Sequence, residues 1–335
     1  MKRGAVLLVL LLFALLVLAV APFLGSENIP LRTLWEGSND EAKLNILWNI
    51  RIPRVAMAFL AGAALAVSGM VFQAVFRNPL ATPFTLGVSS GASLGAAICI
   101  HRQWTWAYLA YVGLSATSVC ALGGAMLAIL LVYGLTRARR GFSTATMLLA
   151  GVAVSFFFSS LILFLQYISD FTKTYRILRW SMGGLEQVVD FGDVYSVLPF
   201  AAGGCVIVLY LTHELNLMTT GEELATSRGV EVARVKKGLF FAASLMVGGV
   251  VAICGPIGFV GLMAPHICRL LIGADHRYLT PATLLFGGAF LVLCDTLART
   301  LMAPTELPVG IVTALLGGPF FLWLLLARVS DEGIG

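Results

Sequence analysis

The 335-residue chain is 59% hydrophobic and 12% charged, with a net charge of +5. Soluble domains carry about 25% charged residues, so the composition excludes a soluble globular protein and predicts an all-α polytopic membrane protein. The small basic excess fits membrane topology and gives no reason to expect a nucleic-acid partner.

Met1-Lys2-Arg3 precede an apolar run that is longer than a usual signal-peptide core. Ala19-Val-Ala21 is followed by Pro22, so an uncleaved first helix is expected. Apolar runs then predict about ten membrane helices, with cores at 5–24, 55–75, 84–101, 107–134, 144–167, 194–212, 239–256, 258–273, 281–301 and 308–327. About 20 apolar residues are needed to cross a bilayer. The run 258–273 is short, and is expected either to cross only partly or to continue its neighbour through Gly255-Pro256. Small-residue runs, Gly62 to Ala66 and Gly87 to Gly95, should let helices pack closely. With an even count, both termini lie on one face. Lys and Arg, led by Arg137-Ala-Arg-Arg140, favour the cytoplasm for that face. Two long segments, 25–53 and 168–193, then fall outside. The first carries Pro30 and the amphipathic piece Leu31 to Trp35. Trp104, Trp106 and Trp180 are expected to be interfacial anchors. No linker divides residues 1–335, so a single domain is predicted.

Residues 214–230 form a polar island on the cytoplasmic side. Thr220-x-x-Glu223 has capping-box spacing, Gly229 suits a left-handed stop, and Leu217, Met218, Gly221, Leu224 and Ala225 form an apolar stripe. Two short surface helices are expected, offering a face to a soluble partner. An ordinary interfacial loop helix is the alternative.

Few groups could carry chemistry. Asp295 and Arg299 are spaced i, i+4 and can pair, with Arg299 near the outer end where it could face outward. Gln73 and Asn78 bracket the inner end of the second segment. The four histidines lack i, i+3 or i, i+4 partners, and the six cysteines form no C-x-x-C pair, so no metal site is expected. Ser89 and Ser90 lie in a glycine-rich helix with no spacing that links them to His266, which favours packing over an intramembrane hydrolase. The sequence lacks G-x-x-x-x-G-K-[ST], so nucleotide energy would have to come from another polypeptide.

The ordered motifs Arg51-Ile-Pro-Arg54, Gln73 to Pro83, Leu86 to Ala92, Leu148 to Val152, Trp180 to Gly184, Leu215 to Ala225, Gly255 to His266, Asp275-His-Arg277, Asp295 to Arg299 and Glu306 to Gly310 resemble the FecCD-type permease family. The resemblance implies a type II ABC importer permease, with ten helices and no enzymatic activity of its own. It implies a second permease subunit, expected to be another copy of this chain, with the pathway at their shared axis. It also implies two cytoplasmic ATPase subunits, which hold the ATP and Mg, and a periplasmic substrate-binding protein. No cofactor is expected on this chain.

By the same resemblance, Leu215, Asn216, Leu217, Met218, Gly221, Glu222, Glu223, Leu224, Ala225, Arg228 and Gly229 contact the ATPase. Arg51, Arg54 and Arg299 meet acidic residues of the binding protein. Thr144 and Ala145 belong to the cytoplasmic gate, and Ser89, Ser90 and Gly91 to the pathway or its packing. Gly184 and Arg228 depart from the family pattern, which usually has Ser and an apolar residue there. A ferric siderophore is the expected cargo, with haem or cobalamin as the alternative, carried across a bacterial inner membrane. A stand-alone secondary transporter or intramembrane enzyme is the remote alternative. It would need buried carboxylates or paired histidines.

Overall fold

A computed structural model describes residues 3–25, 41–106, 115–138, 144–188 and 190–332. Among these, seven helices are long and apolar enough to cross a membrane. The first is α1 (Arg3–Val20). Helix α2 (Glu41–Ile46) runs through one wider turn, Leu47–Arg51, into α3 (Ile52–Phe76). Then come α4 (Val88–Arg102), α5 (Ala116–Ala138) and α6 (Thr144–Ile168). The short amphipathic α7 (Phe171–Ser181) leads to α8 (Phe191–Tyr210), and α9 (Thr212–Thr220) and α10 (Glu222–Ser227) follow. The chain closes with α11 (Val232–Cys254), α12 (Val260–Ile272), α13 (His276–Thr300) and α14 (Val309–Glu332). Each of the ten predicted apolar cores coincides with one of these longer helices. The early part of the fourth, 107–114, lies outside the described residues, as do Arg139, Arg140, Pro30 and Leu31 to Trp35.

Helix α3 is the centre of the bundle. It lies along α13 and also contacts α11, α12 and α8, while α4 pairs with α5 and α1 packs on α13. Backbone approaches backbone along these seams. A Cβ on Gly69 would run into the Gly261 carbonyl oxygen, and one on Gly62 into that of Gly287. Such contact maximises dispersion where the hydrophobic effect cannot hold helices together.

The short run is resolved in favour of a break. Helix α11 stops at Gly255 (φ 67°), and α12 begins only after Phe259, which has φ 66°. Helix α12 is about 20 Å long, too short to cross alone. Pro265 within it has no N–H to give the Gly261 carbonyl. Gln73 Nε2 approaches that carbonyl and that of Leu262 at 3.4 Å, and Arg269 donates to Gln73 Oε1 at 3.2 Å.

The Gly255 break is closed by two other loops. The Gly184 N–H donates to the Cys254 carbonyl at 2.8 Å, and the Gly310 N–H to the Gly183 carbonyl at 3.1 Å. Trp180, expected at the interface, is buried against this junction instead, whereas Trp104 is exposed and stacks on Trp106. The atoms nearest to a Cβ on Gly184 belong to the Glu186 carboxylate, a side-chain end and not backbone, and Gly184 is not among the positive-φ glycines, so the backbone there does not demand glycine.

Candidate functional site

Two clusters occupy opposite ends of the α3–α13 pair. At one end, α9 and α10 meet at Gly221, whose φ of 142° and ψ of 139° suit glycine alone. This elbow corrects the expected capping box. Thr220 is the last residue of α9, and its hydroxyl donates to the Leu217 carbonyl at 2.8 Å, while Gly221 is the residue that starts α10. The single stripe is corrected with it. Leu215, Met218 and Ala225 are buried, Leu217 is half-buried and Leu224 is exposed. Glu223, Leu224, Arg228 and Gly229 therefore share the exposed surface. Gly229 does take the left-handed stop, at φ 85°.

The elbow is fastened from beneath. Asn216 Nδ2 donates to Asp275 Oδ1 at 2.8 Å, and Asn216 Oδ1 accepts the His276 N–H at 2.9 Å and lies 2.8 Å from His276 Nδ1. Asp275 is the N-cap of α13 and also pairs with Arg3 at 3.2 Å. Its burial raises the carboxyl pKa. The Arg277 amide, Asn216, and the charges of Arg3 and Arg277 outweigh that, and hold it below the ordinary value. Arg77, the left-handed cap of α3, donates to the Met218 carbonyl at 2.7 Å. Lys236, almost wholly buried, pairs with Glu222 at 2.7 Å. The sequence reading missed Arg77, Lys236 and the node role of Asp275. The Asp275-His-Arg277 motif was a signal for the last of these.

At the other end, Arg54 donates through Nε and Nη2 to Asp295 Oδ1 at 3.0 and 2.9 Å, and through Nη1 to Glu306 at 2.6 Å. Arg299 Nε lies 3.0 Å from Asp295 Oδ2, as an ion pair outside hydrogen-bond alignment. Its Nη1 donates to the Leu24 carbonyl at 3.0 Å, and Arg51 donates to the Pro22 and Phe23 carbonyls at 3.1 and 3.3 Å. Carbonyls of the short turn that follows α1, Ala21–Phe23 and its cap Leu24, are thereby satisfied by cations, as helix C-terminal ends favour. The expectation of an outward Arg299 is corrected: it is 4% exposed, and Arg51 and Arg54 are buried too. A fully buried Asp295 carboxylate has to hold its cations close to offset desolvation.

The remaining expected residues lie apart from both clusters. Ser90 donates to the Gly87 carbonyl at the start of α4, Ser89 is buried, and Gly91 sits against the Gly124 backbone in the α4–α5 seam. Thr144 opens α6 and Ala145 is exposed. A cavity of about 880 Å³ lies between α4, α5, α7 and α8, edged by Trp104, Tyr175, Arg176, Arg179 and Asp193.

The chain matches the model of the FecCD transport family over residues 7–327. It is 41% identical to the hemin transport system permease protein HmuU of Yersinia pestis, over 95% of this chain and 96% of that one. To the vitamin B12 import system permease protein BtuC of Klebsiella pneumoniae it is 39% identical, over 84% of this chain and 82% of that one. A solved inward-facing structure described as of metal-chelate ABC transporter type superposes with a TM-score of 0.84 at 30% identity, covering 97% of this chain and 99% of that chain.

Proposed function

This chain is an ABC importer permease of the FecCD transport family, and from that premise we propose that it carries a metal-bound tetrapyrrole, haem first and a cobalamin second. The observation that supports haem is the end-to-end 41% identity to a hemin permease. The ferric siderophore expected above has less support than its alternative, because the relatives above whose names state a cargo name hemin and vitamin B12.

In this reading two copies of the chain enclose the pathway in a bacterial inner membrane, with both termini cytoplasmic. The ends of α1, α13 and α14 support a shared face for the two termini. Arg3 meets Asp275 at the start of α13, and α14 returns towards the same face. Partner ATPases press on the surface formed by Glu223, Leu224, Arg228 and Gly229, carried on Leu215, Asn216, Leu217, Met218, Gly221, Glu222 and Ala225. Thr144 and Ala145 lie at the inner gate. The binding protein docks over Arg51, Arg54 and Arg299, and its carboxylates replace the intramolecular partners that these arginines hold here.

Reconstitution of the permease with its own ATPase and binding protein tests the cargo. ATP-dependent uptake of haemin, exceeding that of cyanocobalamin and of a ferric hydroxamate, is expected. Uptake of the hydroxamate alone would overturn the reading. Docking is tested separately with Glu306→Gln, which frees one Arg54 contact and should speed association with the binding protein in low salt.

A further inference from the structure

Helix α13 is 25 residues long, about 37 Å, enough to reach from one face of a bilayer to the other. Its inner end is gripped by the elbow through Asn216, and its outer end carries Asp295 and Arg299. Helix α3 runs beside it with matching attachments, Arg77 to the Met218 carbonyl at the inner end and Arg54 to Asp295 at the outer. Between these points the Gly62 and Gly287 backbones touch, so the two helices cannot shear apart cheaply. A push on α9 and α10 therefore meets a two-helix strut held at both ends by directional polar contacts.

Resting on the importer reading above, we propose that Asn216 is the positioning residue that transmits movement of the α9–α10 elbow to the α3–α13 strut, and through it to the outer Arg54–Asp295–Arg299 cluster. Asn216 suits this role because one amide serves three directed contacts. Its oxygen takes both the backbone and the ring N–H of His276, which requires the proton on Nδ1, and its nitrogen holds the Asp275 carboxylate. Leucine has the same branching at Cγ but no polar atom with which to grip α13. Aspartate would place a second carboxylate 2.8 Å from Asp275 and repel it.

The test uses the permease assembled with its ATPase in nanodiscs. Bimane is attached at Leu301→Cys, at the exposed outer end of α13, in a background carrying Cys120→Ala and Cys205→Ala. The reading is the emission shift on adding ATP, Mg and vanadate, with ATP hydrolysis measured on a parallel aliquot without vanadate. Asn216→Asp and Asn216→Leu should each reduce the shift at least fivefold, read per assembled ATPase. Asn216→Asp combined with Asp275→Asn restores an amide facing a carboxylate, and should regain most of the shift. A merely structural role for Asn216 would not produce that rescue. A full shift in Asn216→Asp, no rescue in the double variant, or no shift in a parent that hydrolyses ATP would each overturn the inference while leaving the importer reading intact. Failure of any ATPase to assemble with the parent would sink both.

Discussion

Arg54 divides its guanidinium between two carboxylates, and one of them, Asp295, has no contact with solvent. Removing one member of a buried charged set costs about 3–5 kcal/mol, because the others keep their desolvation penalty and lose compensation. Asp295→Leu, which leaves Arg54 and Arg299 facing each other, should lower stability by about that amount. Adding Arg54→Met should recover part of the loss, since a matched set is then removed. Unfolding of the purified chain in detergent checks the order, and a double variant weaker than Asp295→Leu would refute it. The Asp295–Arg299 half of this cluster was legible in the sequence, because i, i+4 spacing on a helix is a local rule. The reach of Arg54 across the fold to Asp295 was not, because spacing says nothing about partners on different helices. The inward turn of Arg299 escaped notice for the same reason.

At the level of elements, each of the ten apolar cores read from hydropathy falls on a helix among the described residues, seven of them long enough to cross a membrane, and the break at Gly255-Pro256 is one of the two outcomes the sequence offers. The elbow was misread because Thr220-x-x-Glu223 fits a capping box perfectly well in isolation. The intervening Gly221 adopts a backbone that ends one helix and begins the next, and this leaves Thr220 on the wrong side of the join. Glycines also differ in ways a sequence does not display. A Cβ at Gly69 meets the backbone of α12, whereas one at Gly203 meets nothing within 4 Å. Gly69→Ala should therefore strip folded protein from the membrane fraction, since overpacking against backbone costs upwards of about 1–3 kcal/mol. Gly203→Ala should be neutral or slightly stabilising, as alanine is favoured over glycine within a helix by about 1 kcal/mol. Size-exclusion recovery after extraction distinguishes them, and equal recoveries would reject the close-approach argument.

Over the whole molecule, the exposed apolar surface is uneven. Along α6, Leu149, Phe156 and Leu163 recur every seventh position at 68%, 69% and 66% exposure, and Tyr167 follows at 89%. A seven-residue repeat is the spacing with which one helix meets another. In the dimer reading this seam faces its counterpart in the second copy. Phe156→Cys should then cross-link in membranes with a short bis-maleimide, and Val206→Cys, 64% exposed on α8, should not. Monomers alone from Phe156→Cys would count against α6 as the meeting face.

The junction of Gly183, Gly184, Cys254 and Gly310 has a bearing on how the protein is made. Its hydrogen bonds join stretches that leave the ribosome far apart in time, so the Gly183 carbonyl waits for the last transmembrane segment before it has a mate. A chain truncated before Gly310 would carry that unmet polar group within an otherwise inserted bundle, where bilayer interiors tolerate it poorly. Membrane quality control would have a ready mark by which to tell an unfinished copy from a complete one.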